Sequence, residues 1–372
     1  MPTSSVSRHY NLIMTKPAAQ RTKTPLPKII SIQYLRAFAA MSVAVYHILN
    51  QVEFQTRAIL PLHILLSAGV DLFFCVSGFI IWTTNWYSPL PLRRFAWNRI
   101  TRVVPMYWIF TLFALCVAPF SHYAIRGLSL HGAIYSLLFL PYTSWNMWPI
   151  LGVGWTLNYE MFFYALFALV LLVAGRHRLF PAIITSLCTL VIIGLLARFT
   201  APALQVYTNI LLLEFVFGIL IGWLVTTSRL PTHTGFAAAC LIIGFVLLLL
   251  SPHPAGQPPT PWRGIVWGIP CALILMGTIA LERSAANFQR LPKLILLGDA
   301  SYALYLTHAY PIMLMTKLLK MPWWPQTLLG FTIFTLLTSA LIIATGILAH
   351  LWLEKPLLRL AKNVSILNAP NA

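Results

Sequence analysis

Acid is nearly missing from this chain. Seven Asp and Glu stand against 25 Lys and Arg, and charged residues of both signs fill only 9% of 372 positions. A water-soluble domain carries about a quarter charged residues, so a soluble surface is excluded. Paired cysteine motifs are absent too. Cys75, Cys116, Cys188, Cys240 and Cys271 all fall inside apolar stretches with no C-x-x-C spacing, which argues against a disulfide framework or a zinc site. They read as small apolar fillers. No short apolar core with a cleavage site opens the chain, so a secretory signal is not expected. Internal repeats are lacking, which leaves an inverted-repeat transporter unsupported.

What is present is hydrocarbon. Hydrophobic residues make up 59% of the chain and the mean hydropathy is +0.79. Such a chain takes the bilayer as its solvent, where every backbone N–H and C=O must be paired internally. The apolar runs lack the alternation of barrel strands, so the expected fold is all-α, a polytopic membrane helical bundle. The net charge of +18 would point to nucleic acid in a soluble protein. Here the basic residues stand in short loops between apolar runs, and anionic membrane lipids are the expected partner rather than nucleic acid.

A spanning helix needs about 20 apolar residues. About ten such spans are expected, at 31–50, 62–84, 103–120, 155–174, 179–197, 206–226, 235–250, 263–281, 297–316 and 327–350. A piece near 131–141 is too short to cross and is read as a re-entrant or interfacial helix. Residues 1–28, polar and basic, form an expected disordered cytoplasmic tail. An acid-free leader of this kind also fits a transit peptide, with Met14 an alternative start. The transmembrane domain covers 29–360, and a second cytoplasmic tail covers 361–372. With both termini inside, 18 of the 25 Lys and Arg fall in cytoplasmic segments. Only Arg57, Arg126, Arg198, Arg263, Lys317 and Lys320 fall outside, and Arg36 lies within the first span. That bias sets the orientation.

An ionisable group inside a span costs about 2.5–3.5 kcal/mol on insertion scales and is a functional candidate by default. The candidates are Arg36, His47, Asp71, Glu160, Glu214, His308 and, near a span end, Asp299. Rise along the helix places Arg36 near the cytoplasmic face and His47 about 24 Å in, toward the outer face. Glu160 enters from outside by about 8 Å, a similar depth to His47. Asp71, Glu214 and His308 come out nearer the midplane. A His beside a carboxylate is what general-base catalysis needs, because the carboxylate fixes the tautomer and stabilises the imidazolium. The expected catalytic group is therefore His47, oriented by Glu160 or Asp71. The bland alternative is that these residues hydrogen-bond helices together. Arg99 and Arg102 are three apart and share a face, with guanidinium forks suited to phosphate. Arg93 and Arg94 read instead as membrane-surface anchors. Gly218 and Gly222 form a G-x-x-x-G, expected to pack helices closely. Glu354-Lys355 reads as an interfacial ion pair.

Five segments occur in order: Ser31-Ile-Gln-Tyr-Leu-Arg36 leading to His47; Gly69-Val-Asp71 through Ser77-Gly78-Phe79; Arg93-Arg94 through Arg99, Arg102 and Pro105-Met-Tyr107; Trp155-Thr-Leu-Asn-Tyr-Glu160; and Gly298-Asp-Ala-Ser301-Tyr302-Ala-Leu-Tyr305-Leu-Thr-His308. The chain closes on Leu353-Glu354-Lys355-Pro356. Together these segments resemble the integral-membrane acyltransferase-3 family, and within it bacterial exopolysaccharide O-acetyltransferases. Thr156 stands where many relatives carry Ser, and Cys75 where a branched aliphatic is usual.

The resemblance implies a multi-pass protein of the bacterial inner membrane. It also implies acyl-CoA, acetyl-CoA in particular, as co-substrate without a metal, and a carbohydrate or lipid-linked glycan as acceptor. Arg36 and His47 would be required, with Arg99 and Arg102 near the CoA. In this reading Arg36, Arg99, Arg102 and Tyr302 hold the donor, His308 and Glu214 stand behind the site, and the hydroxyl attacks the thioester directly or through an acyl-histidine. Ser301, Tyr302 and His308 fit interhelical hydrogen bonds equally well. The competing class is a carrier or flippase of a lipid-linked sugar or acyl group, which would move its cargo without bond chemistry.

Overall fold

The computed structural model describes residues 29–56, 61–117, 129–141, 149–251, 262–285 and 288–363. The tail expected at 1–28 lies outside the described residues, as do Arg57, Arg126 and residues 364–372 of the tail expected at 361–372, whose first three residues are helical. Among the described residues all regular structure is helical. Seven segments are long and apolar enough to cross a membrane, and two shorter apolar helices accompany them. The protein is thus an all-α polytopic membrane protein.

α1 spans Ile30–Thr56. A 3-10 turn over Pro61–Ala68 leads into α2, Gly69–Tyr87. α3 is Leu92–Val117 and α4 is Leu130–Leu137. At eight residues α4 is about 12 Å long and cannot span. It is held to α3 by Tyr107 and Ser136, whose hydroxyls lie 2.8 Å apart, and by Trp108 Nε1 donating to the Leu137 carbonyl.

α5, Trp155–Ala197, has 43 residues. That is about 65 Å, twice what a bilayer core needs. The excess is resolved at Gly175, whose φ of 66° and ψ of 176° break the helix into two legs. A left-handed φ is open to glycine at no steric cost. The two legs carry the stretches expected as separate spans at 155–174 and 179–197.

α6 is Pro202–Tyr207, α7 Leu212–Thr226, α8 Thr234–Leu250, α9 Arg263–Val266 and α10 Gly268–Ser284. The run expected as one span over 297–316 is instead three pieces: α11 Pro292–Asp299, α12 Ser301–Thr307 and α13 Ala309–Leu319. Proline explains the second break. Pro311 has no N–H for the Thr307 carbonyl, and its ring crowds that carbonyl. α14, Leu328–Ala349, passes through a π-turn at His350–Glu354 into α15, Lys355–Asn363. Pro356 acts on the Trp352 carbonyl in the same way, and the ladder widens to accommodate it.

The close approach of α2 and α7 forms the centre. A Cβ on Gly218 would stand 2.0 Å from the Cys75 carbonyl oxygen, and one on Gly222 would stand 2.8 Å from Trp82. Gly218 therefore packs on backbone and Gly222 under the Trp82 side chain, as small residues do between membrane helices. α11 likewise meets α1 where Gly298 rests on the Gln33 backbone, and α12 continues beside α1 from there. Gly218→Ala is expected to cost about 1–3 kcal/mol through overpacking, read as a lowered thermal midpoint in detergent. Gly152→Ala, with no atom within 4 Å of the new methyl, should leave the midpoint unchanged. Equal midpoints for both variants would contradict this packing.

Candidate active site

Three helices bring guanidinium groups or their one nearby carboxylate to a single cavity of about 770 Å³, counting its open mouth. α1 contributes Arg36, α3 contributes Arg99 and Arg102, and α5 contributes Thr156, Glu160 and Tyr164. Val70, Phe73 and Phe74 of α2 form an apolar wall, and Ser301, Tyr302 and Tyr305 of α12 face it. The spacing of Arg99 and Arg102 put them on one helical face, and that face lines the cavity.

These cations are poorly answered from within the protein. Arg36 is 8% exposed, and Nη1 donates only to its own-helix neighbour Gln33, at 3.3 Å. Arg99 lies over the rings of Phe95 and Tyr164, 5.6 and 5.8 Å from their centroids. Its Nε is buried without a partner, and so is the Ser301 hydroxyl. Most buried hydroxyls here bond back to their own helix, as Thr307 does to the Ala303 carbonyl. Glu160, the only carboxylate lining the cavity, is held by Tyr164, whose hydroxyl donates to Oε1, and by Ser77 Oγ at 3.2 Å. Tyr302 lends its ring to the wall while its hydroxyl donates to the Val103 carbonyl at 2.7 Å. Three arginines beside a single lining carboxylate, with free buried donors, suit an anionic ligand rich in acceptors, although Glu354 and Asp299 also act on Arg36 electrostatically.

The imidazoles stand just beyond this cavity. His47, half-buried, stacks on His308 with ring centroids 5.2 Å apart and planes 24° from parallel. His308 Nδ1 lies 2.8 Å from the Tyr305 carbonyl oxygen. The Tyr305 hydroxyl bonds Thr156 Oγ1 at 2.9 Å and donates to the Val153 carbonyl at 3.1 Å. Tyr305 thus belongs to the cavity wall and to the imidazole pair at once.

Three sequence expectations need correction. The structure does not bring His47 against Glu160 or Asp71: Glu160 is engaged by Tyr164 and Ser77, and His47 meets His308 instead. Rise along an axis gives depth but not the direction a side chain faces. Asp71, fully buried, is taken by Arg263, whose Nη2 sits 2.7 Å from Oδ2 and whose Nε sits 3.0 Å from Oδ1. Arg263, counted above as an outer-loop charge, is 9% exposed, and its guanidinium also covers the Trp267 ring. Glu214, fully buried beside Gly268, belongs to this second cluster and acts electrostatically on Arg263. Finally, Glu354 does not pair with Lys355 at the interface. It is 4% exposed and bonds His350 Nδ1 at 2.7 Å within the π-turn.

Sequence reasoning missed Arg263 and Tyr305 as partners. Tyr302, Tyr305 and His308 are spaced by three and share a helical face, a signal that was available for Tyr305. No local signal marked Arg263, whose partner is 192 positions away. Among the described residues no group of three His, Cys, Asp or Glu side chains could hold a metal ion.

This geometry defines a helical membrane protein with a cationic cavity and, on the far side of Tyr305, a pair of stacked imidazoles. The model of the acyltransferase domain matches residues 29–348, and the chain belongs to that family, acyltransferase-3. The exopolysaccharide production protein ExoZ of Rhizobium meliloti (strain 1021) is 34% identical over 303 residues, covering 79% of this chain and 90% of that protein. No solved structure matches at a significant level.

Breaking a buried ion pair by removing one partner costs about 3–5 kcal/mol, because the other charge is stranded. Arg263→Leu is therefore expected to destabilise the detergent-solubilised protein by that amount. The double variant Asp71→Leu, Arg263→Leu should lose less than Arg263→Leu alone. A single variant as stable as wild type would show that the pair does not hold α2 to α9.

Proposed function

We propose that this protein moves an acyl group, acetyl by resemblance, from cytosolic acyl-CoA to a hydroxyl of a cell-surface polysaccharide or lipid-linked glycan. The convergence of Arg36, Arg99 and Arg102 on one cavity carries this reading. Guanidinium forks match phosphate oxygens bidentately, and the thioester donor brings phosphates at one end and its acyl group at the other. The relative named for exopolysaccharide production supports a glycan acceptor.

The topology follows the same reading. Counting both legs of α5, α8 and the broken run α11–α13 as crossings gives ten spans, with N- and C-termini in the cytoplasm of a bacterial inner membrane. The arginine cavity then opens toward the side that holds acyl-CoA, and His47 looks toward the outer leaflet. The donor's phosphates rest on the arginines, and its arm runs along Phe73 and Phe74 to Tyr305. Past Tyr305 the pair His47 and His308 handles the proton of the acceptor hydroxyl. Glu160 balances the arginines rather than orienting His47, while Asp71 and Glu214 hold α2, α7 and α9 in place through Arg263.

Acetyl-CoA supplied to purified protein with a glycan acceptor should release free thiol in step with ester formation. Arg36→Gln, or Arg99→Gln with Arg102→Gln, should raise KM for acetyl-CoA roughly 10- to 100-fold, as expected for losing charge-assisted hydrogen bonds. His47→Ala should slow transfer by roughly 30-fold or more, through kcat, while CoA still binds. Movement of acceptor across vesicles without thiol release would identify a carrier and defeat the proposal.

A further inference from the structure

Two imidazoles stand beyond the cavity, and only one is built as a base. A base works when its second nitrogen is fixed by a hydrogen bond, because that bond sets the tautomer and the ring direction. His308 has such a bond. A carbonyl oxygen only accepts, so the Tyr305 carbonyl 2.8 Å from Nδ1 requires the His308 proton to sit on Nδ1. The lone pair is then on Nε2, which makes no hydrogen bond. His308 is 2% exposed, with its ring packed against those of His47 and Tyr305. His47 has none of this. It makes no hydrogen bond in the structure, and its contacts are the rings of Tyr46 and His308, with centroids at 4.9 and 5.2 Å.

We propose that His308 Nε2 takes the proton of the acceptor hydroxyl, and that His47 acts by stacking on the imidazolium that forms. The inference rests on the acyl-transfer reading above and assigns the proton within it. The hydroxyl O–H bond breaks as its oxygen bonds the thioester carbonyl carbon, and the proton passes to His308 Nε2. The C–S bond then breaks, and the departing thiolate takes that proton. Nδ1 keeps its own proton on the Tyr305 carbonyl throughout. The face of the His47 ring, within about 6 Å of the charge, stabilises the cation as aromatic faces do. The same Tyr305 whose ring lines the cavity thus carries the carbonyl that aims the base.

The test compares His308→Gln with His47→Phe in purified protein. His308→Gln should lower kcat by about 10²- to 10⁴-fold, the range for losing a general base. His47→Phe keeps an aromatic face and should lose at most about 30-fold. Calorimetric binding of CoA, unchanged in both, shows that the cavity is folded. Free imidazole should restore part of the activity of His308→Gly and none to His47→Gly. A His47→Phe loss as deep as that of His308→Gln, or a His308→Gln enzyme that keeps a tenth of its kcat, overturns the assignment. Wild-type protein that releases no thiol from acetyl-CoA refutes the acyl-transfer reading itself, which is a separate result.

Discussion

A guanidinium inside a membrane protein must be answered by an anion, and the four buried or cavity-lining arginines here are answered in two different ways. Arg263 is answered from within: Asp71 takes it through two nitrogens, with Glu214 nearby. Its desolvation is offset by geometry and charge, and the pair joins distant parts of the chain. Arg36, Arg99 and Arg102 share a single lining carboxylate, Glu160. Arg102 acts against both of the others electrostatically. Like charges crowded in low dielectric repel, and at Arg36 that repulsion is opposed by Glu354, Asp299 and Glu160. In one cluster a side chain takes the guanidinium directly, and in the other three arginines line a cavity with one carboxylate among them.

Breaks in the helices place the rest. Pro311 ends α12 just after Thr307, and His308 sits at the resulting corner with its ring against the Tyr305 carbonyl. The Pro356 π-turn carries His350 and Glu354 inward, and the Glu354 carboxylate reaches Arg36 electrostatically from the last helix. π-turns interrupt helices most often where a side chain must be re-aimed. In both places an element that could have been a plain span gives up regular hydrogen bonds and delivers a polar group toward the centre.

Tyr305 ties the two halves together. Its hydroxyl is anchored on Thr156 and the Val153 carbonyl, its ring meets the edge of Phe73, and its carbonyl holds His308. The cationic cavity and the imidazole pair therefore adjoin through one residue, which lines the first and contacts the second. A donor arm and an acceptor hydroxyl approaching from opposite leaflets would meet at that residue.

Much of this was legible without coordinates. Apolar length gave the helices, and i, i+3 spacing put Arg99 and Arg102 on one face. The eleven-residue step from Arg36 to His47, close to three turns, put both on one face of α1, and the G-x-x-x-G announced close helix packing, which the structure places between α7 and α2. These properties are local, because they follow from the period and rise of a single helix in hydrocarbon. The partner of each buried charge was not legible. Equal depth suggested His47 with Glu160, yet helices at one depth can face any direction around their axes. Only packing among α1, α2, α5, α9 and α12 fixed those rotations. It gave Asp71 to Arg263, Glu160 to Tyr164 and His47 to His308, since pairing across a bundle depends on azimuth, which no single segment encodes.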